Sequence, residues 1–508
     1  MSRPTLALGA HACATLAPMS EDRPAAVSGR PTPPAMNADE LVRSSAGRLL
    51  KRSTRQIRGA AVDSRIVRPG ELFVALPGER SDGHRYLGAA AAAGAAAMIV
   101  TTPPTDMELA DLGDVSVVQV GDGVRALRAI AAGWRARFSP LVVGITGSIA
   151  KTSTKEAVAA VLSTRRTTLK NEGNLNNEVG LPLTLLRLGP EHDAAVLEMG
   201  MYVRGEIADL ARLARPSIGV VTAVHGVHLS RIGSIDAIES AKAELVEALP
   251  PDGVAILNAD DPRVVRMAAR TAARSLTYGF AEDADVGAED VQSTNLEGMR
   301  FVLRAVVGGR TIRRPVAIPG LGRLSVHNAL AAAAAGFAAR LDVDDIVRGL
   351  AHGWNAPHRT AILRAGDATI VDDSYNASPG SMLAALDLLG GLPGRRVAVL
   401  GEMLELGDGS EAGHRDVGQA AAATVDLLVV VGDGAAGIAE AAATAGLDAA
   451  RIVRVADREA ALELLRSRLG AGDVVLVKAS RGVALDLLVD DLVADLGAAG
   501  EPRAGQRP

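Results

Sequence analysis

The run Leu141-Val142-Val143-Gly144-Ile145-Thr146-Gly147-Ser148-Ile149-Ala150-Lys151-Thr152-Ser153 decides how this chain is read. Leu141–Thr146 is an unbroken apolar stretch of strand length, and Thr152–Thr164 carries a helical pattern. The turn between them contains glycine and ends on lysine and threonine. A turn that leaves a strand and opens a helix converges backbone N–H groups and the helix N-terminus on anionic oxygens, as a phosphate loop does. Gly144, Thr146, Gly147, Ser148, Ile149, Ala150, Lys151, Thr152 and Ser153 are therefore the candidate nucleotide-binding residues. Lys151 would reach the β- and γ-phosphates, and the Thr152 hydroxyl would ligate Mg²⁺. A Gly/Ser turn beside a surface lysine has the same letters, so the surroundings must decide. Ala150 stands where such loops normally carry glycine. If that position needs positive φ, its Cβ costs about 1 kcal/mol, and the expected consequence is weaker nucleotide binding.

Working outward, strands alternate with helical stretches. Ala194–Met199, Ile218–Val224 and Val254–Asn258 read as further strands, which indicates a parallel sheet with helices on both faces. Ligands sit beyond the carboxyl ends of such strands. Those ends carry Glu198, then His225 and His228, then Asn258 and Asp260. An acid there is a natural Mg²⁺ ligand, although singly Glu198 could be a helix-capping charge and His228 a surface imidazole. Val302–Val307 and Thr311–Val316 flank Gly308-Gly309 as a hairpin. Strands at Glu71–Leu76 and Ala97–Thr101 define an earlier unit, in which Ala38–Leu50 reads as helix. Strands at Thr369–Val371, Arg396–Leu400, Leu427–Val431 and Val474–Lys478 define a later one. The expected division is 1–35 as a disordered extension or mis-assigned start, 36–138, 139–350, 351–492, and a tail at 493–508. The fold class is α/β in three domains: a central phosphate-loop parallel sheet, an N-terminal α/β domain and a C-terminal Rossmann-like α/β domain.

Composition agrees with several independent cores. The chain has 508 residues, 48% hydrophobic and 22% charged, with 54 Lys plus Arg against 59 Asp plus Glu. A net charge of −5 with 2% aromatic residues supplies neither the basic footprint nor the stacking rings of a nucleic-acid binder. A single cysteine, Cys13, closes no intrachain disulfide and suits a reducing compartment. The longest apolar stretch, Leu87–Val100, is too short to span a bilayer and reads as a helix running into a strand. Arg3 and the weakly apolar Thr5–Pro18 fall short of a secretory signal, because His11 interrupts them and a Pro-rich charged stretch follows. The expectation is a cytoplasmic protein without membrane insertion, monomeric by default.

The sequence resembles the Mur ligases, ATP-dependent amide ligases of peptidoglycan precursor synthesis, over roughly residues 38–490. The resemblance rests on many short ordered matches. They include Asp63-Ser64-Arg65, Asp82-Gly83-His84, Asn174-Leu175-Asn176-Asn177, Leu197-Glu198-Met199-Gly200, Ala241-Lys242-Ala243-Glu244, Asp372-Asp373-Ser374-Tyr375-Asn376 and Val477-Lys478-Ala479-Ser480-Arg481-Gly482. It implies an N-terminal domain for a uridine nucleotide, gripped by Ser64, Arg65, Asp82 and His84, with Asn174, Asn176, Asn177 and Asn376 toward the muramyl-peptide. It implies ATP held by the phosphate loop with Asn328, Arg359 and Asp373, the last two arriving from the third domain. Two Mg²⁺ sites are implied, one on Thr152 and Glu198 and a second on His228 and Lys242, the lysine as an N-carbamate. The catalytic set would be Lys151, Glu198, His228 and Lys242.

The Asp373–Ala377 segment resembles the branch that uses a dipeptide, and Asp-Asn-Pro-Arg, carried by diaminopimelate-adding relatives, is missing. The implied substrates are UDP-N-acetylmuramoyl-tripeptide and D-Ala-D-Ala. Three positions depart from the family, all on the nucleotide side: Ala150; Ala223 after Thr222, with His225 nearby; and Leu324 and Ser325 in Gly322–Asn328. A relative that binds without turnover, or a ligase for another amine, therefore stands as an alternative. A chain decaying into pure binding should lose Lys151, Glu198, His228 and Lys242 first, and all four are present.

Overall fold

The protein is described as a computed structural model covering residues 34–78, 81–226 and 233–499. His228, most of the 1–35 segment and the end of the tail lie outside the described residues. Three sheets follow one another along the chain. The first has β1 (Arg48–Lys51), β2 (Ala60–Ala61), β3 (Leu72–Val74), β4 (Ala97–Val100) and β5 (Ser116–Gln119) in the order β1-β5-β4-β3-β2. Only β1 runs antiparallel to its neighbour. The helix expected over Ala38–Leu50 stops at Ser45. Asn37 and Glu40 cap its start reciprocally, and Ala46 closes it in the left-handed region at φ 51°. A Cβ on Gly47 would stand 2.4 Å from Val118, so the chain passes close under β5 before becoming β1.

The central sheet has nine strands: β6 (Leu141–Thr146), β7 (Thr168–Lys170), β8 (Ala194–Glu198), β9 (Ile218–Val221), β10 (Val254–Asn258), β11 (Arg274–Gly279), β12 (Val286–Ser293), β13 (Met299–Val307) and β14 (Arg310–Ile318). Their order is β14-β13-β12-β11-β10-β9-β6-β8-β7. From β7 to β12 the ladder is parallel, and β13–β14 is the expected hairpin, added antiparallel at the far edge. Alternate residues of β6 go to opposite faces. Val143 and Ile145 pack with the helices Lys151–Leu162 and Gly322–Ala338; Val142 packs with Glu206–Ala214 and Ile235–Glu247. The second of these cores continues without a break into the first unit, through Leu127, Ile130, Trp134, Ile99 and Val118.

The third sheet contains β15 (Ala361–Ala365), β16 (Ala368–Asp372), β17 (Arg395–Gly401), β18 (Leu427–Val431), β19 (Ile452–Val455) and β20 (Asp473–Lys478), in the order β15-β16-β20-β17-β18-β19. Its two faces form separate cores, and of the central unit's buried apolar residues only Leu321 enters them. Among the described residues no helix is long and apolar enough to cross a membrane.

Candidate active site

The phosphate loop folds as its composition requires. Gly147 has φ +153°, and a Cβ there would come within 1.8 Å of Thr222 Oγ1. Ala150 is left-handed at φ 64°, so the condition under which its Cβ costs about 1 kcal/mol is met. The loop is tied to the end of β9. Thr222 Oγ1 donates to Ile149 O at 2.6 Å, and Ser148 N donates to Ala223 O at 2.8 Å. Ser148 Oγ donates to His225 O at 3.0 Å and accepts from His225 N at 2.9 Å. The unusual Ala223 and His225 thus serve this loop through backbone groups, which any side chain would leave in place.

Lys151 opens the helix and donates to Gly147 O at 2.8 Å. Burial lowers its pKa, the Glu198 carboxylate pulls it back up, and Arg359 adds a further downward push. Glu198, at the end of β8, is held on both carboxylate oxygens. Thr152 Oγ1 donates to Oε2 at 2.8 Å and Asn176 Nδ2 donates to Oε1 at 2.7 Å. Its backbone is clamped as well: Asn171 Oδ1 accepts from Glu198 N at 2.9 Å, while Asn171 Nδ2 donates to Glu198 O at 3.2 Å and Leu175 O at 2.9 Å. Lys155, fully buried one turn into the helix, donates to Asn171 O at 2.6 Å.

Lys242 is buried, and among the described residues no hydrogen bond or ion pair reaches its Nζ. Burial and then the Lys151 charge push its ammonium well below the ordinary lysine range. Its neighbour Glu244 faces elsewhere, accepting from Gly205 N and Ala208 N to cap the helix Glu206–Ala214.

The third unit closes the opposite wall. Lys478, buried at the end of β20, donates to Asp373 Oδ2 at 2.6 Å and Asn376 O at 2.9 Å. Thr360 N donates to Asp373 Oδ1 at 3.1 Å. The guanidinium carbons of Arg359 and Arg481 lie 4.2 and 5.0 Å from the Tyr375 ring centroid. Between the walls lies a cleft of about 480 Å³, lined by residues 148–153, Asn174, Asn176, Asn177, Glu198, Arg359, Asp373, Asn376, Lys478 and Arg481 among others. Beside it a smaller hollow is lined by Ser153, Leu324, Ser325, Asn328, Trp354 and Arg359. Asn328 Oδ1 there accepts from Thr154 Oγ1 at 3.1 Å.

Other expected residues are placed apart. Ser64, Arg65, Asp82 and His84 are not among those lining the cleft. Asp63 pairs with Arg65. His84 Nδ1 lies 2.7 Å from Asp82, and its Nε2 accepts from Thr101 N at 2.9 Å, so this pair ties a loop to the end of β4. Gly144 and Thr146 act beneath the loop, Thr146 Oγ1 donating to Met199 O at 2.9 Å. Asn258 and Asp260 turn to each other, to His327 and to backbone N–H groups, leaving Glu198 as the rim acid facing the cleft. Asn171 was missed by the sequence reading: one letter in a loop carries no signal that its carboxamide completes a strand end.

The donor set suits a hard divalent cation: a hydroxyl and a carboxylate meet where strand and helix abut, and Mg²⁺ takes oxygen ligands. Among the described residues no group of three or more His, Cys, Asp and Glu side chains is placed to hold a metal. A cation here would depend on the threonine hydroxyl and on phosphate oxygens as well.

A phosphate loop, a strand-end carboxylate, buried lysines and a second α/β unit facing them across a cleft define a nucleotide-dependent enzyme. Comparisons with known proteins narrow the class. The description "Mur ligase family, catalytic domain" matches residues 56–135, "Mur ligase middle domain" matches 145–336, and "Mur ligase, glutamate ligase domain" matches 358–481. The UDP-N-acetylmuramoyl-tripeptide–D-alanyl-D-alanine ligase of Mycobacterium tuberculosis is 40% identical over 471 residues, 85% of this chain and 91% of its own. The Escherichia coli protein of the same name is 38% identical over 435 residues, 84% and 92% of the two chains. A crystal structure of MurF from Acinetobacter baumannii superposes with TM-score 0.79 at 30% identity, covering 91% of this chain and 99% of that one. The Thermotoga maritima MurF ligase in complex with ADP superposes with TM-score 0.74 at 28% identity, covering 87% and 98%. The chain belongs to the Mur ligase family.

Proposed function

We propose that this chain joins D-Ala-D-Ala to the terminal carboxylate of UDP-N-acetylmuramoyl-tripeptide, with ATP converted to ADP and phosphate, in peptidoglycan precursor synthesis. The observation that carries the reading is the Lys151–Thr152–Glu198 constellation facing Arg359 and Asp373 across one cleft, in a chain 40% identical to a ligase of that name.

A carboxylate does not condense with an amine unaided, so ATP supplies the activation. A carboxylate oxygen of the tripeptide attacks the γ-phosphorus, ADP leaves, and an acyl phosphate results. The dipeptide amine then attacks the acyl carbon, phosphate departs with both bonding electrons of the C–O bond, and the amine loses its proton. Lys151 and the loop N–H groups hold the phosphates, and Arg359 faces the same charge from the third unit. Thr152 and Glu198 would hold Mg²⁺, which supplies charge neutralisation along the phosphate chain. Lys242, kept toward its neutral amine by burial and then by the Lys151 charge, suits carbamate formation with CO₂ and would so contribute to a second cation site, which the family resemblance would share with His228. Asn328 and the hollow around it take the adenine, and the first unit takes the uridine nucleotide. Both walls of the cleft come from one chain, which supports a monomeric working unit, and the nucleotide substrates support a cytoplasmic site of action.

The test is phosphate release from purified protein given ATP, Mg²⁺, bicarbonate and UDP-N-acetylmuramoyl-tripeptide, with and without D-Ala-D-Ala. Release that requires the dipeptide, with the product mass found, is the expected result. Uridine-nucleotide binding with no release under any amine would overturn it.

A further inference from the structure

Arg481 has no assignment in the reaction just described, and its surroundings are unusual for a surface arginine. It follows β20, lines the cleft, and donates from Nη1 to the Tyr375 hydroxyl at 2.7 Å. The Tyr375 ring carries a second guanidinium, that of Arg359, at 4.2 Å. Among the described residues no carboxylate lies within ion-pair distance of either arginine, whereas the nearby Lys478 is neutralised by Asp373 at 2.6 Å. Two like charges gathered on one ring without a counter-ion lower their mutual repulsion by taking anionic ligands. Arg359 is close enough to Lys151 to depress its pKa and therefore belongs with the phosphates. Arg481 shares the Tyr375 ring with it, its guanidinium carbon 5.0 Å from the centroid, and lines the same cleft.

Accepting the ligase reading, the amine substrate poses its own electrostatic problem. Its amine must approach an acyl phosphate while its carboxylate is kept off the phosphoryl charge. A dipeptide separates the two by about 7 Å. A guanidinium on a planar phenol platform presents a fixed fork that a carboxylate accepts bidentately. We propose that Arg481, seated on Tyr375, is the subsite for the acceptor dipeptide's C-terminal carboxylate and selects a substrate bearing a free carboxylate there.

The experiment compares D-Ala-D-Ala with its C-terminal carboxamide, D-Ala-D-alaninamide, as acceptors for the full-length protein and for Arg481→Ala and Arg481→Lys. For the unaltered protein the carboxamide should show a KM at least tenfold higher. Arg481→Ala should raise the KM for D-Ala-D-Ala by about 10- to 100-fold and leave that for the carboxamide within about twofold, abolishing the preference. Arg481→Lys should fall between, since it keeps the charge but not the fork. The KM values for ATP and the uridine substrate should stay within about twofold, and the melting temperature should not move. An unchanged dipeptide KM in Arg481→Ala overturns the proposal, as does an equal rise for both acceptors or a rise confined to ATP or the tripeptide. No dipeptide-dependent release from the unaltered protein overturns the ligase reading itself, and this proposal with it.

Discussion

Ala150 shows how a substitution can be costly without being costly to function. Its left-handed backbone, at φ 64°, is held by protein groups alone, through the hydrogen bonds of Ser148 and Ile149 to the end of β9. A strain held by the protein's own hydrogen bonds is carried in the free and bound states alike and cancels from the affinity, so we predict little weakening of nucleotide binding. Ala150→Gly should leave the KM for ATP within about twofold. Stability should also change little, because about 1 kcal/mol of relief is offset by glycine's larger entropy loss of about 0.5–1 kcal/mol. A tenfold fall in KM would mean that the free loop is not left-handed. On the proposed reaction, Lys242 is the opposite case, a buried burden that the carbamate would explain. Its folded pKa lies well below the unfolded value of 10.5, so between the two values the unfolded chain binds more protons. Stability therefore rises with pH through that window, and the penalty is fully present below it. In CO₂-depleted buffer Lys242→Met should be more stable near pH 7 by about 0.5–2 kcal/mol, converge on the unaltered protein as pH approaches 10.5, and lose turnover. Equal stability at both pH values would show that the buried ammonium already has a partner.

At the scale of elements, the site is made by what happens just past the ends of β6, β7 and β8. Glu198 is rigid because Asn171 closes the gap that the short β7 leaves beside it, and because Asn176 returns to its carboxylate. Asn176→Ala should therefore lower kcat by about tenfold or more and raise the Mg²⁺ concentration needed for half-maximal rate. A rise in the KM for the uridine substrate with kcat intact would instead assign Asn176 to the muramyl-peptide. Parallel strands buried on both faces announce themselves as apolar runs, which is why Leu141–Thr146, Val254–Asn258 and Leu427–Val431 were legible to the residue. Edge and two-sided strands such as Arg48–Lys51 and Arg274–Gly279 were not, since their pairing depends on distant partners rather than on their own pattern. The chemistry-bearing residues of the loop and of Glu198 were legible for a similar reason: strand ends are fixed by local pattern. Asn171 and the Arg481–Tyr375–Arg359 stack were not, because they are contacts between segments far apart in sequence.

For the whole molecule, the distribution of core decides which parts move together. The first unit shares one continuous core with the central sheet, and Arg135 reinforces it by donating to Ala214 O and Phe138 O. Among the described residues the third unit joins through a thinner seam, Leu321 with the partly buried Leu296 and the linker before β15. The cleft lies at that thinner junction, and the linker that crosses it delivers Arg359. His358 and Thr360, on either side, are left-handed at φ 56° and 57°. For a β-branched threonine that conformation costs about 1–3 kcal/mol, and Asp373 holds it by accepting from Thr360 N. The strain is thus fixed by the same carboxylate that neutralises Lys478, which fixes the direction from which Arg359 enters the site. Thr360→Gly keeps that hydrogen bond and removes the strain, but it opens the linker to other conformations. The melting temperature should hold or rise, while kcat/KM for ATP falls several-fold as Arg359 loses its fixed approach. A variant that melts higher with unaltered kcat/KM would show that packing of Arg359 on Tyr375, rather than the linker backbone, sets the arginine in place.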